Sequence, residues 1–367
     1  MKVPFLELLP TYQELKPEMD AAYHRVMDSG WYLLGKETTA FEEKFAQFTG
    51  SRYAVSVANG LDALRLSLQA LGIGAGAEVL VPANTFIATF LAVSQTGAVP
   101  VPVDCEEHYY NIDPEKVEAA ITSRTRAIMP VHLYGQCADM SRIMEIAKRH
   151  NLLVVEDAAQ AHGATCDGKS AGTFGNAAGF SFYPGKNLGA FSDAGMVVTD
   201  NTDVADRVRM LRNYGSTVKY HHEVIGINSR IDELQAAFLQ VKLEHLSEWN
   251  KRRDKIAALY NRELAEIPGC QIPRVAPNRK HVWHIYPFHC NRRNELQKAL
   301  DSVGVHALIH YPIPSHLSGA YRGLGYQKGD FPIAERFADE ELSLPIGPHL
   351  TEEQVGFVVE QIKHFVH

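Results

Sequence analysis

Between Arg52 and Thr199, short apolar runs alternate with stretches whose apolar residues recur at helical spacing. The runs Tyr53–Val57, Glu78–Pro82, Ala127–Val131, Leu152–Val155 and Met196–Thr199 are four or five residues long and rich in valine, as buried strands are. Between them, Asp62–Leu71 and Met140–His150 read as helices. Such alternation predicts a largely parallel sheet covered on both faces. A long helical pattern then runs from about Ile231 to Leu264, with Trp249 and the charged cluster Lys251–Asp254 inside it. Beyond Cys270 come two or three strand candidates and a final amphipathic helix, Glu352–Phe365, which predict a smaller α+β domain. The expected division is a large domain with its N-terminal segment over residues 1–245, followed by a connecting helix and small C-terminal domain over 246–367. No internal repeat or low-complexity segment interrupts the pattern.

Composition adds limits. A chain of 367 residues can bury two cores, and 46% hydrophobic with 22% charged residues is an ordinary soluble balance. The net charge of -7 provides no basic footprint, which argues against nucleic acid as a partner. No apolar run approaches the length of a membrane span, and the N-terminus has an acid and a proline where a signal peptide would have a longer apolar core. Five widely spaced cysteines without a CxxC motif argue for reduced thiols, with neither a disulfide framework nor a metal site, so a cytoplasmic protein is expected.

Chemistry enters with the segment Ala178-Gly-Phe-Ser-Phe-Tyr-Pro-Gly-Lys-Asn-Leu-Gly-Ala190, where Lys186 is flanked by Phe180, Phe182, Leu188 and Phe191. That is unusual company for a surface lysine. Asp157 closes another apolar run, twenty-nine residues earlier. A lysine amine and a carboxylate at neighbouring strand ends suit pyridoxal 5'-phosphate (PLP): the amine can form an imine, and the carboxylate can keep the ring nitrogen protonated. Ser56-Val-Ala-Asn-Gly60 leaves a strand and enters a helix, so the first free amides of that helix face any anion placed there.

These segments resemble those of the DegT/DnrJ/EryC1/StrS family of sugar-nucleotide aminotransferases, and the likeness runs over nearly the whole chain. The resemblance implies the PLP-dependent aspartate-aminotransferase fold, fold type I, an α/β architecture with a mostly parallel mixed sheet. It implies Lys186 as the Schiff-base lysine and Asp157 as the partner of the pyridine nitrogen. Gln160 would lie near the ring hydroxyl and Phe86 would stack on the ring. Gly60, Leu61, Asp62 and Ser181 would hold the phosphate, with Leu61 and Asp62 acting through backbone amides. Asn228 would reach the phosphate in the opposite subunit of a homodimer with shared active sites. Lysine, where the family's dehydratases carry histidine, favours transamination.

Substrate-facing candidates are Tyr183, Lys219, Tyr220, His310 and Tyr311, each with a core or interface role as its alternative. Relatives acting at a C4 ketone usually have histidine in place of Tyr183 and a Gly-Glu-Gly stretch after the lysine. This chain is therefore similar to the subgroup that aminates nucleotide-linked 3-keto sugars, dTDP-3-keto-6-deoxyhexoses foremost, with L-glutamate as donor and the aminated cofactor (PMP) as its other form. Ser192 departs from the glycine common in that subgroup. Amination of a UDP-linked 3-keto sugar or of a C4 ketone, and a non-catalytic PLP-fold regulator, are the alternatives.

Overall fold

The computed structural model describes residues 1–366. Seven strands form the central sheet: β1 (Tyr53–Val57), β2 (Glu78–Pro82), β3 (Val99–Val103), β4 (Thr125–Ile128), β5 (Leu153–Asp157), β6 (Ala177–Ser181) and β7 (Gly195–Thr199). Their spatial order is β1-β7-β6-β5-β4-β2-β3. Only β7 runs against its neighbours, so the carboxyl ends of the other six open on one side. In an open α/β sheet that is where ligands are received.

The expected strands are all present, within a few residues of their predicted ends. Val99-Pro-Val-Pro-Val103 was not anticipated, because two prolines break the usual strand signature. It is tolerated because β3 lies at the edge of the sheet, where half the amide positions need no ladder partner. Helices cover both faces. On one, Leu64, Leu68, Val79, Val81 and Phe90 pack together; on the other, Leu80, Ile128, Ile143, Ile146 and Val154 do so.

The small domain is built on an antiparallel sheet of β8 (Cys270–Gln271), β9 (Tyr286–Cys290) and β10 (Glu341–Leu344), in that order. Tyr286, Phe288, Leu342 and Leu344 pack there against Val355, Val358 and Ile362 of the C-terminal helix. The long helix spans Glu233–Leu264 and is capped by Asp232, whose carboxylate accepts the Gln235 amide at 2.8 Å. Its first half (Ala236, Leu239, Leu243, Leu246) packs with Phe180, Phe182 and Leu188 of the large domain. Its last turns (Ile256, Ala257, Tyr260, Leu264) lie in the small-domain core.

Candidate active site

Asp157 ends β5 and is buried. Its Oδ2 accepts the Thr89 hydroxyl at 2.8 Å and its Oδ1 accepts the Ala159 amide at 3.1 Å. Thr89 is itself steadied by Thr85, 2.8 Å away. Loss of water pushes the Asp157 pKa up, while the Thr89 and Ala159 donors and the Lys186 ammonium oppose the rise. A buried carboxylate with so few donors is an incomplete arrangement, suited to a cationic N–H above it.

Lys186 follows β6 on a tight loop closed by its own amide donating to the Tyr183 carbonyl at 2.8 Å. The residue is half-buried, and desolvation brings its ammonium pKa down to about 8 against the stabilising charge of Asp157. At pH 7.5 that raises the free-amine fraction from about 0.1% to about a quarter, which is what a nucleophilic lysine requires. The loop is held by the long helix at three places. The Phe191 amide donates to Gln235 at 2.7 Å, Lys242 donates to the Gly189 carbonyl at 2.7 Å, and Asn187 donates to Asn250 at 2.9 Å.

The anion cradle lies where β1 enters the helix Gly60–Ala70. Among the described residues, the Gly60 and Leu61 amides have no acceptor within the chain. Asp62 does not act as expected. Its amide donates to the N-cap oxygen of Asn59 at 2.8 Å, and its carboxylate binds Arg65 at 2.8 Å and the Ser229 hydroxyl at 2.7 Å. The aspartate thus builds the turn, and its own amide is already occupied, unlike those of Gly60 and Leu61. Gly60 is required by space: a Cβ there would lie 2.6 Å from the Ser181 Cβ. Gly60→Ala is therefore expected to push Ser181 out of the cradle and weaken PLP retention at least about tenfold, equivalent to about 1.4 kcal/mol, with the fold intact. Equilibrium dialysis of the cofactor checks this, and unchanged retention would remove Gly60 and Ser181 from the phosphate site.

Gln160 is buried, accepts the Tyr134 amide at 2.6 Å and donates to the Tyr311 hydroxyl at 3.2 Å. The Phe86 ring stands 5.4 Å from that of Tyr311 and is 53% exposed, and its carbonyl accepts the amide of Thr89, the residue that bonds Asp157, at 3.1 Å. His310 donates its amide to Glu341 at 2.8 Å and has its Nδ1 2.8 Å from the Ser343 hydroxyl; its carbonyl accepts the Tyr134 hydroxyl. Both small-domain candidates are thus brought to the edge of the site. Tyr183 is 59% exposed at the mouth of the Lys186 loop.

Among the described residues, Lys219 and Tyr220 form no hydrogen bond to these groups. They sit at the tip of a hairpin between Ser216–Val218 and His221–His222, with the lysine over the tyrosine ring and Tyr220 80% exposed. Asn228 is also exposed, one residue before Ser229. His162 is buried between Phe180 and Phe182, and burial lowers its pKa to about 3, so it is a neutral ring. Sequence reasoning missed Thr89, Tyr134 and Ser229. Thr85 and Thr89, four residues apart around Phe86 where a turn enters the helix Ala88–Ser94, were the available sign of a polar pair. Tyr134 had none.

A half-buried lysine of lowered pKa, a buried carboxylate, an aromatic ring and a helix N-terminus at the carboxyl ends of a mostly parallel sheet suit a PLP-dependent aminotransferase. The residues present fit that cofactor: Asp157 for the ring nitrogen, Phe86 for the ring face, and Gly60, Leu61 and Ser181 for the phosphate. Residues 13–363 match the model of the DegT/DnrJ/EryC1/StrS aminotransferase family, and the chain belongs to that family. It is 54% identical over 363 residues to the erythromycin biosynthesis sensory transduction protein EryC1 of Saccharopolyspora erythraea, covering 99% of both chains. It is 53% identical to the dTDP-3-amino-3,4,6-trideoxy-alpha-D-glucose transaminase of Streptomyces venezuelae, over 99% of this chain and 96% of that one. The crystal structure of S. venezuelae DesV in complex with a ketimine intermediate superposes with a TM-score of 0.98 at 52% identity, covering 100% of this chain and 99% of that one.

Proposed function

We propose that this protein transfers the amino group of L-glutamate to the C3 ketone of a nucleotide-linked sugar, foremost a dTDP-3-keto-6-deoxyhexose. The observation that carries the reading is the desolvated Lys186 amine sharing a site with buried Asp157. Naming supports the substrate class: the S. venezuelae relative is a dTDP-3-amino sugar transaminase. When bound, PLP supplies an electron sink that stabilises negative charge at the carbon losing its proton.

The chain's residues supply the rest. Lys186 Nζ, with its lowered pKa, takes a proton from the donor's α-carbon in one half-reaction and returns one to the sugar's C3 in the other. Asp157, oriented by Thr89 and Ala159, holds the proton on the ring nitrogen. Gln160 and Tyr311 tie the small domain to the ring-hydroxyl side, while Tyr183 and His310 face the incoming sugar. Two half-reactions at one site give ping-pong kinetics. The relative named as a sensory transduction protein raises a regulatory reading. The complete Lys186–Asp157 pair favours catalysis.

The test is a panel of purified dTDP- and UDP-linked keto sugars with glutamate, the product amine being located by NMR. The expected product carries it at C3 of a dTDP sugar. An amine at C4 would overturn the positional reading and leave the transaminase standing; preference for a UDP sugar would overturn the nucleotide.

The protein works in the cytoplasm as a homodimer. Among the described residues no helix is long and apolar enough to cross a membrane. Trp31, Tyr32, Leu33, Tyr214 and Ile225 are exposed, Ile225 by 98%, and Asn228 bridges to Asn213 beside Tyr214; so much uncovered apolar surface suits a second copy. Leu33 bridges to Asp232, and Arg230 lies over the Tyr214 ring, which places these residues on adjoining surfaces. In this reading Asn228 serves the partner's phosphate. An inactivating Asn228 variant co-expressed with Lys186→Ala is then expected to regain activity above either parent, because one intact site forms per mixed dimer. Verified mixed dimers without recovery would place Asn228 in its own chain's site, where Ser229 already binds Asp62.

A further inference from the structure

Two cysteines outside the site face each other in the small domain. Cys270 on β8 is in register with Cys290 on β9. The adjoining pair carries the ladder hydrogen bond, from the Asn291 amide to the Gly269 carbonyl at 3.3 Å. The cysteines therefore occupy a non-hydrogen-bonded position, where opposed Cα atoms stand about 4.5 Å apart and side chains project together from one face. That separation falls within the range of about 4.4–6.8 Å that a disulfide spans. Both are free thiols. No other cysteines face each other across a strand pair among the described residues: Cys166 is opposite Arg279 and Lys169, Cys105 is opposite Ile112, and Cys137, in the same core cluster as Cys166, lies outside any strand.

We propose that Cys270 and Cys290 are a reversible thiol–disulfide pair that takes a small-molecule disulfide, of the oxidised glutathione type, as co-reactant. Cys270 is half-buried on the short edge strand and offers the way in. Cys290 lies buried behind it, so Cys270 is the attacking sulfur and Cys290 the resolving one. In the first step the Cys270 thiolate attacks one sulfur of the small disulfide, and one small thiol leaves. Cys290 then loses its proton to solvent, attacks the Cys270 sulfur and expels the second small thiol. Two protein thiols are oxidised and one small disulfide is reduced to two thiols.

The closed loop contains Val282, whose carbonyl accepts the Asn187 side chain at 2.8 Å, and His284, 3.2 Å from the same residue. Asn187 follows Lys186. The crosslink thus restrains the segment on which the lysine loop rests.

The test treats the full-length holoenzyme with oxidised glutathione, followed by thiol titration under denaturing conditions and non-reducing peptide mass mapping. The protein is expected to lose two of its five thiols, with a single crosslink between the peptides carrying Cys270 and Cys290, reversed by dithiothreitol. Cys290→Ser is expected to stop at a glutathione adduct on Cys270. Retention of all five thiols, a crosslink involving Cys105, Cys137 or Cys166, or a wild-type protein that stops at the glutathione adduct would each overturn the proposal. The wild-type mapping stands whether or not the variant folds.

Discussion

Replacing Lys186 with alanine is expected to lower turnover by about 10⁴-fold and to abolish the visible absorption that PLP acquires on binding through that amine. The fold should survive. The loop closes through the Lys186 backbone amide and is anchored by Gln235, Lys242 and Asn250, none of which needs the lysine side chain. Absorption spectroscopy, thermal melting and a glutamate-dependent assay of the purified variant check the three statements. Activity within tenfold of wild type would remove Lys186 from the chemistry, and with it the proposed mechanism.

Asp157→Asn should retain PLP, because the cradle at Gly60 and Leu61 is a separate structure, yet turn over about 10²–10³-fold more slowly. The amide is nearly isosteric and its oxygen can still accept from Thr89. What it lacks is the negative charge that keeps a proton on the ring nitrogen, and in a buried setting no water substitutes for that charge. Single-turnover rates for each half-reaction at fixed cofactor occupancy provide the measurement. Rates within a few-fold of wild type would mean that some other group holds the ring nitrogen.

Periodicity made the sheet legible because most of its strands are buried on both faces and read as unbroken apolar runs. β3 escaped because Val99-Pro-Val-Pro-Val103 is admissible only at an edge, and edge position follows from strand order. The placement of Lys186, Asp157 and Gly60 at one end of the sheet was legible because each lies at or a few residues beyond the end of a strand, where a local pattern reports its surroundings. Asp62 was misplaced by the same local logic: the turn signal is real, but whether its amide is free depends on the Asn59 side chain closing back on it. Thr89, Tyr134 and Ser229 act through contacts between distant segments, the last two reaching Gln160 and Asp62 from another part of the chain.

The helix Glu233–Leu264 bears on how members of this family can be recombined. A chimera that exchanges small domains to alter substrate choice would naturally be spliced near residue 245, where the chain leaves the large domain by sequence. That junction separates Gln235 and Lys242 from Asn250, all of which grip the lysine loop, and so hands one of its supports to a foreign helix face. A junction placed between Asn250 and Ile256 keeps the three supports with their own loop and transfers the small-domain packing residues together, Val3 of the N-terminal segment excepted. Chimeras of the second kind should keep the parental cofactor spectrum, and those of the first should lose it before they lose their fold.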